Sequence, residues 1–268
     1  MSLIFLKLGG SLITNKDKKD TPNLRIISRI SAEIANALKE TPDLNLVLGH
    51  GSGSFGHHAA NKYGTRVGVN SPEAWHGFAH VWDRAHALNT ILIEALRKAN
   101  IPVISFSPSS SVITQNHTIK SWDTYQVEQA LKNYLVPLVY GDVVFDRTLG
   151  GTILSTEELF AYLSKKLSPD RILLAGIEPG VWNDFGSRDF IISRITPSSF
   201  TFIGSDQMRS SSPDVTGGMG SKISSMLKII ENSPHTSISI YSGMESGNIY
   251  SSLTGKNFGT LLTCDERG

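Results

Sequence analysis

The sequence predicts an α/β protein, a three-layer αβα sandwich around a mostly parallel open sheet. Three observations lead there: short apolar runs recur along the chain, amphipathic stretches separate them, and glycine-rich turns follow several of them. Apolar runs of strand length bounded by turns suit strands buried on both faces, and the intervening helical periodicity suits helices covering those faces.

Leu3–Leu8 is the first predicted strand. In Ile26–Leu38 the apolar residues Ile26, Ile27, Ile30, Ile34, Ala37 and Leu38 recur at steps of three and four, which predicts a helix. Strands follow at Leu44–Leu48, Val103–Phe106, Leu138–Tyr140, Arg171–Leu174, Ser237–Tyr241 and Gly259–Leu262. Helices are predicted over Trp75–Lys98, Tyr125–Asn133, Glu157–Lys166 and Ser221–Glu231. No repeat or low-complexity linker divides the chain, so residues 1–268 read as one domain with a weak break near Lys165. Ser205–Thr216, containing Ser210-Ser211-Ser212-Pro213, reads as a mobile loop before a glycine turn.

With 40% hydrophobic and 18% charged residues, the 268-residue chain has a globular composition and enough apolar material for a large core. Its formal net charge of +1 supplies no global basic field, so neither nucleic acid nor a membrane is an expected partner. The single cysteine, Cys264, excludes an intrachain disulfide framework and reads as a strand residue rather than a nucleophile. The sequence shows neither a signal peptide nor an apolar run of transmembrane length, and a cytoplasmic location is expected.

Three loops have the chemistry of phosphate binding. Lys7-Leu8-Gly9-Gly10-Ser11 ends the first strand, with Thr14 and Lys16 close behind. Glycines let phosphate oxygens approach backbone N–H groups, and ammonium groups neutralise the charge. Gly49-His50-Gly51-Ser52-Gly53-Ser54-Phe55-Gly56-His57-His58 follows the second strand. Residues 51–56 match the G-x-G-x-x-G spacing of a dinucleotide site, with Glu73 about twenty residues on, but no strand ends at Glu73. A phosphate nest with His57 at the mouth of a helix fits better. The third loop, Asp214-Val215-Thr216-Gly217-Gly218-Met219-Gly220-Ser221-Lys222, again sets glycines before a lysine at a helix start. Taken alone, the first loop also reads as an ordinary glycine turn between strand and helix, and the third as a flexible loop with a solvated lysine.

Together these segments resemble the amino-acid-kinase superfamily, and within it most closely the isopentenyl phosphate kinases. The pattern K-x-G-G-S…T-x-K is matched by Lys7, Gly9, Gly10, Ser11, Thr14 and Lys16, and the histidine of H-G-G-G-S-F-G-H falls on His57. Tyr140-Gly141-Asp142-Val143 and Val215–Lys222 are similar too. There are departures. Ser52 replaces a glycine, Ser155-Thr156-Glu157-Glu158 stands where S-G-D-[DE] is common, and Leu174–Trp182 replaces a pattern resembling L-T-D-V-D-G-V-Y, with Pro179 inserted.

The resemblance implies ATP and Mg²⁺ as cofactors, isopentenyl phosphate as the small-molecule substrate, isopentenyl diphosphate as product, and a homodimer. It assigns residues 1–165 to the acceptor and 166–268 to the nucleotide. Nucleotide contacts are implied at Lys7, Gly9, Gly10, Ser11, Gly53, Gly176, Trp182, Gly218 and Lys222. Lys7, Lys16 and Lys222 would stabilise the moving phosphoryl charge. A phosphomonoester is largely dianionic at neutral pH and attacks without a general base. His57 would then be a donor holding the acceptor phosphate, with Ser52 and Thr156 as lesser candidates.

His50 and His58 read as structural. Asp142 either orients the lysines or caps a turn. The stripe Trp75, Phe78, Val81, Trp82 and His86 either lines an apolar tail pocket or packs the core. Two other functions fit the same sequence: a kinase acting on another phosphate, a phosphonate such as fosfomycin or a carboxylate, and a non-catalytic nucleotide- or anion-binding module.

Overall fold

The computed structural model describes residues 2–184, 187–203 and 218–265. The proposed mobile loop Ser205–Thr216 and residues Asp214–Gly217 of the third glycine loop lie outside the described residues.

The first half of the chain runs β1 (Ser2–Leu8), α1 (Gly10–Ile13), α2 (Leu24–Glu40), β2 (Leu44–His50), α3 (Gly53–Tyr63), α4 (Pro72–Lys98), β3 (Val103–Ser105), α5 (Pro108–Ser111), β4 (Val112–Gln115), β5 (Thr118–Trp122), α6 (Tyr125–Lys132), β6 (Val136–Tyr140), β7 (Asp142–Asp146) and β8 (Gly150–Leu154). It continues with α7 (Thr156–Leu167), β9 (Arg171–Gly176), β10 (Val181–Trp182), β11 (Ile191–Ile192), β12 (Arg194–Ile195), α8 (Pro197–Ile203), α9 (Gly218–Asn232), β13 (Ser237–Ser242), α10 (Asn248–Leu253) and β14 (Thr260–Leu262).

Eight strands form the main sheet in the order β12-β14-β13-β9-β1-β2-β6-β3. Every neighbouring pair is parallel except β13 with β14. All seven predicted strands lie in it, and it runs unbroken past Lys165 because β1 pairs with both β2 and β9. A second, four-stranded sheet, β5-β4-β7-β8, and the two-stranded ribbon β10-β11 had no counterpart in the predicted elements. Their strands are short; β4 alternates buried with exposed residues and β5 is mostly exposed, so they lack the continuous apolar run that marks a doubly covered strand.

Strand alternation sorts the core. On β1, Ile4, Leu6 and Leu8 join one buried cluster with Ile27, Ile30 and Ile34 of α2 and Leu88 and Leu92 of α4. Phe5 joins the other cluster, with Val47, Phe160 and Leu163 of α7 and Ile223 and Met226 of α9. Burying such a side chain contributes roughly 1.5–3 kcal/mol. Side chains two apart share a face, so Lys7 follows Phe5 onto the α7 side and His50 follows Leu48 onto the α4 side.

Side chains cap the starts of α4 and α7. Ser71 accepts from the Ala74 N–H and precedes Pro72 at the start of α4. Ser155 and Glu158 form a capping box on α7, which fixes the orientation of the intervening Glu157.

Candidate active site

The turns after β1, β2 and β9 meet at the carboxyl end of the sheet. The Gly51 N–H donates to the Leu8 carbonyl at 3.0 Å, and the Gly9 N–H to the Ala175 carbonyl at 2.8 Å. A methyl group on Gly10 would stand 2.4 Å from the Gly53 nitrogen, so these two loops touch through backbone. Gly53 has φ +51, which favours glycine, and its own Cβ would strike the Thr14 side chain. Thr14 joins the loops, donating to the Gly10 carbonyl at 2.7 Å and accepting from the Ser54 N–H at 3.0 Å. Loop-to-loop approach therefore requires Gly10 and Gly53 whatever they bind. At Gly176 the nearest atom to an added Cβ is 4.0 Å away, so no protein atom demands glycine there.

Glu157 is the residue sequence reasoning passed over. Its carboxylate pairs directly with the Lys7 ammonium, and its Oε1 lies 3.8 Å from Lys222 Nζ. Lys7 and Glu157 are both buried, at 9% and 8% exposure, so neither charge is held by bulk water. Burial by itself would raise the Glu157 pKa, but the two ammonium groups outweigh it and hold the carboxyl at about 2. The signal that could have found it was Lys7 on the α7 face of β1, opposite an acidic pair in the first turn of α7.

His57 lies in the second turn of α3 and is half-buried. Ser52 is the N-cap residue of that helix, yet its side chain makes no capping bond. Ser11 is half-buried in α1, and Gly218 opens α9 with φ +73. Lys16 is exposed in the turn before α2 and makes no ion pair with a described residue. His58 is exposed, whereas His50 is fully buried.

Thr156 departs from expectation. It is 1% exposed, and its hydroxyl donates to the His50 carbonyl at 2.6 Å while its methyl group packs against Gly49. That hydroxyl proton serves the fold, not a phosphate. Asp142 resolves toward the capping alternative: Oδ2 accepts from the Ser107 hydroxyl at 3.2 Å and the Ser109 N–H at 3.4 Å. Burial pushes its pKa up to about 6, against the pull of those bonds and that of the Val143 N–H.

The altered segment 174–182 is internally tied. Trp182 Nε1–H donates to Glu178 at 2.9 Å, Glu178 pairs with Arg188 at 3.5 Å, and the Arg188 guanidinium stands 5.9 Å from the Trp182 ring. On α4 the aromatic stripe splits. Phe78 and Val81 are core, packed with Ala59, Ala60, Val69 and Val143, while Trp75, at 38% exposure, stacks over the exposed Phe145. Trp82 and His86 stack on each other further along the helix, and Trp82 is exposed. Ala60 follows His57 by three residues on α3, which brings the apolar cluster against the helix face that carries the imidazole.

Among the described residues, glycine and lysine loops at the carboxyl ends of parallel strands, with a buried acid joining two lysines, define an open-sheet α/β protein built to bind anions. The amino acid kinase family matches residues 2–240, and the chain belongs to that family. An isopentenyl phosphate kinase of Methanocaldococcus jannaschii is 33% identical over 98% of this chain and 100% of the relative. Another, from Methanothermobacter thermautotrophicus, is 33% identical over 97% of this chain and 99% of the relative. A solved isopentenyl phosphate kinase superposes with TM-score 0.82 at 29% identity, covering 97% of this chain and 100% of that one. The T. acidophilum isopentenyl phosphate kinase product complex, at TM-score 0.78 and 22% identity, shares the fold.

Proposed function

We propose that this enzyme transfers the terminal phosphoryl group of ATP to isopentenyl phosphate, giving isopentenyl diphosphate. The observation that carries the reading is the Lys7–Glu157–Lys222 cluster beside a glycine loop that leads into α3, the helix carrying His57. The likeness over full length to proteins named for this activity supports the acceptor.

The chemistry follows from charge. Phosphoryl transfer spreads negative charge over the moving group, and catalysis consists mainly of positioning and neutralisation. Lys7 and Lys222 arrive from different elements and are held near one another by Glu157 despite their mutual repulsion. Glu157 leaves the pair with net positive charge for the phosphates. Lys16, on its exposed turn, reaches the transferring group from the solvent side. The acceptor phosphate brings its own negative oxygen, so the chain supplies no base; His57 donates a hydrogen bond that orients it. The apolar cluster of α3 and α4 lies on the side of His57 where a hydrocarbon tail is accommodated.

A single carboxylate already paired with lysines suits a Mg²⁺ ion held chiefly by nucleotide oxygens and water. When bound, the ion neutralises phosphate charge. Residues 1–165 handle the acceptor and 166–268 the nucleotide, and the enzyme works as a cytoplasmic homodimer.

An ADP-release assay with Mg-ATP tests the reading, using isopentenyl phosphate, dimethylallyl phosphate, fosfomycin, glutamate and UMP as acceptors. Turnover is expected with the isoprenyl phosphates. Preference for fosfomycin or glutamate would sink the acceptor assignment, and ATP binding without turnover would leave a non-catalytic module.

A further inference from the structure

Under the Gly49–Ser52 loop the His50 imidazole meets two oxygens. Nδ1 is 3.1 Å from the Gly51 carbonyl oxygen and Nε2 is 3.2 Å from Asn89 Oδ1. The residue is fully buried and its ring stacks on Tyr140, with centroids 5.3 Å apart and planes 5° from parallel. Its own carbonyl accepts from Thr156 at 2.6 Å and from the Gly141 N–H at 3.1 Å. The ring is thereby anchored to α4, and the residue's backbone to Gly141 just before β7 and to the same turn of α7 that carries Glu157.

One proton cannot serve both oxygens. A doubly protonated ring would serve them, but burial, reinforced by the Lys7 charge, lowers the ring's basicity more than the two hydrogen bonds restore it. A neutral ring must choose. The Gly51 carbonyl is fixed in the backbone and accepts only. The Asn89 amide both donates and accepts, and rotation about its last bond exchanges the two. Ser105 Oγ, 3.0 Å from Asn89 Nδ2 and 3.3 Å from Oδ1, serves either orientation because a hydroxyl also donates and accepts.

We propose that His50 is a positioning residue for phosphate capture: its Nδ1–H holds the Gly51 carbonyl, and the Asn89 amide of α4 answers at Nε2 and keeps the ring in place. In a trans peptide the C=O and the following N–H point in opposite directions. Drawing the Gly51 oxygen toward the imidazole turns the Ser52 N–H to the other side of the loop. Ser52 is the N-cap residue of α3, where backbone donors lack intrahelical partners, and His57 follows on the same helix. His50 thus sets the direction of a backbone donor that works beside His57. This rests on the phosphate-binding reading of the loop given above.

Two measurements on the full-length protein test it. Long-range ¹H–¹⁵N spectra of histidine-labelled protein without substrate report the tautomer, with the His50 signals assigned by their loss in His50→Gln. The Nδ1–H form is expected at neutral pH. In Asn89→Leu the Gly51 carbonyl still selects the Nδ1–H form, but the ring loses its partner at Nε2; the Nε2 resonance should shift and kcat/KM for isopentenyl phosphate should fall about tenfold, the cost of a slightly misdirected donor, while the Kd of Mg-ATP changes less than about twofold. Ser105→Ala, at a half-buried site, guards against misfolding of the first variant. It should leave the Nδ1–H form in place, because the hydroxyl serves either amide orientation, and loosen Asn89 enough for a drop of about threefold. An Nε2–H or doubly protonated His50 in the wild-type protein overturns the proposal. So does unchanged acceptor kcat/KM in folded Asn89→Leu protein whose His50 resonances have shifted. Failure of the wild-type protein to phosphorylate any isoprenyl phosphate overturns the functional reading instead, and the substrate-free spectrum still decides the hydrogen-bond assignment.

Discussion

The Glu157 carboxylate contacts Lys7 of β1 directly and stands 3.8 Å from Lys222 of α9. One acid at a helix start therefore gathers cations from two distant stretches of chain. Removing its charge leaves Lys7 buried beside Lys222 with no counter-charge from that position. Glu157→Gln should lower stability by about 3–5 kcal/mol, the usual cost of breaking one side of a buried pair. It should also reduce kcat at least about tenfold, because the lysines lose their shared reference. Urea unfolding and initial rates measure the two effects.

The same carboxyl gives a pH signature. Its folded pKa of about 2 lies below its ordinary value of 4.5, so its contribution is complete above about pH 4.5. That contribution, about 3 kcal/mol, is lost as pH falls from there to about 2. Unfolding midpoints measured across this range should converge between the wild-type protein and Glu157→Gln as the solution becomes more acidic.

Asp142 runs the other way. Burial raises its pKa from 3.8 to about 6, so its ionisation opposes folding. The penalty is absent below about pH 3.8, grows as pH rises, and is complete above about pH 6, reaching about 3 kcal/mol. Asp142→Asn should remove this slope. Stability of the wild-type protein relative to the variant should therefore decline between pH 4 and 6 in urea titrations.

His57→Ala should lower kcat/KM for isopentenyl phosphate by about 10²–10³, as expected when a donor to a charged oxygen is lost. Mg-ATP affinity, measured by calorimetry, should stay within about threefold. Equal losses toward both substrates would contradict a role confined to the acceptor.

Gly10→Ala and Gly176→Ala separate packing from ligand approach. A Cβ at residue 10 meets the Gly53 nitrogen at 2.4 Å, so that variant should lose about 1–3 kcal/mol and bind both substrates poorly. A Cβ at residue 176 meets nothing nearer than 4.0 Å. Gly176→Ala should keep the wild-type Tm while raising KM for ATP, if the nucleotide passes over that backbone.

Much of this architecture was legible because parallel strands buried on two faces write themselves as apolar runs. Leu3–Leu8 and Arg171–Leu174 are examples, and both proved central. The second sheet was not legible, since β5, Thr118–Trp122, shows mixed exposure and no such run. The loops stood out because glycine, lysine and histidine are conspicuous. Their partners did not: Glu157 meets Lys7 only through the register of β1 against α7, and Thr156 looked available until its hydroxyl was found on the His50 carbonyl. Contacts between residues far apart in sequence leave no local mark.

The position of β1 has a consequence for the order of assembly. β1 is synthesised before both of its sheet neighbours, with β2 on one side and β9 on the other. At usual rates of translation β9 follows β2 by roughly 10 s. During that interval one hydrogen-bonding edge of β1 has no native partner, and an incomplete sheet presents apolar residues such as Phe5 and Val47 to solvent or to a chaperone. β1 is made early yet enclosed late, so the nascent chain is most exposed to mispairing before Arg171–Gly176 leaves the ribosome.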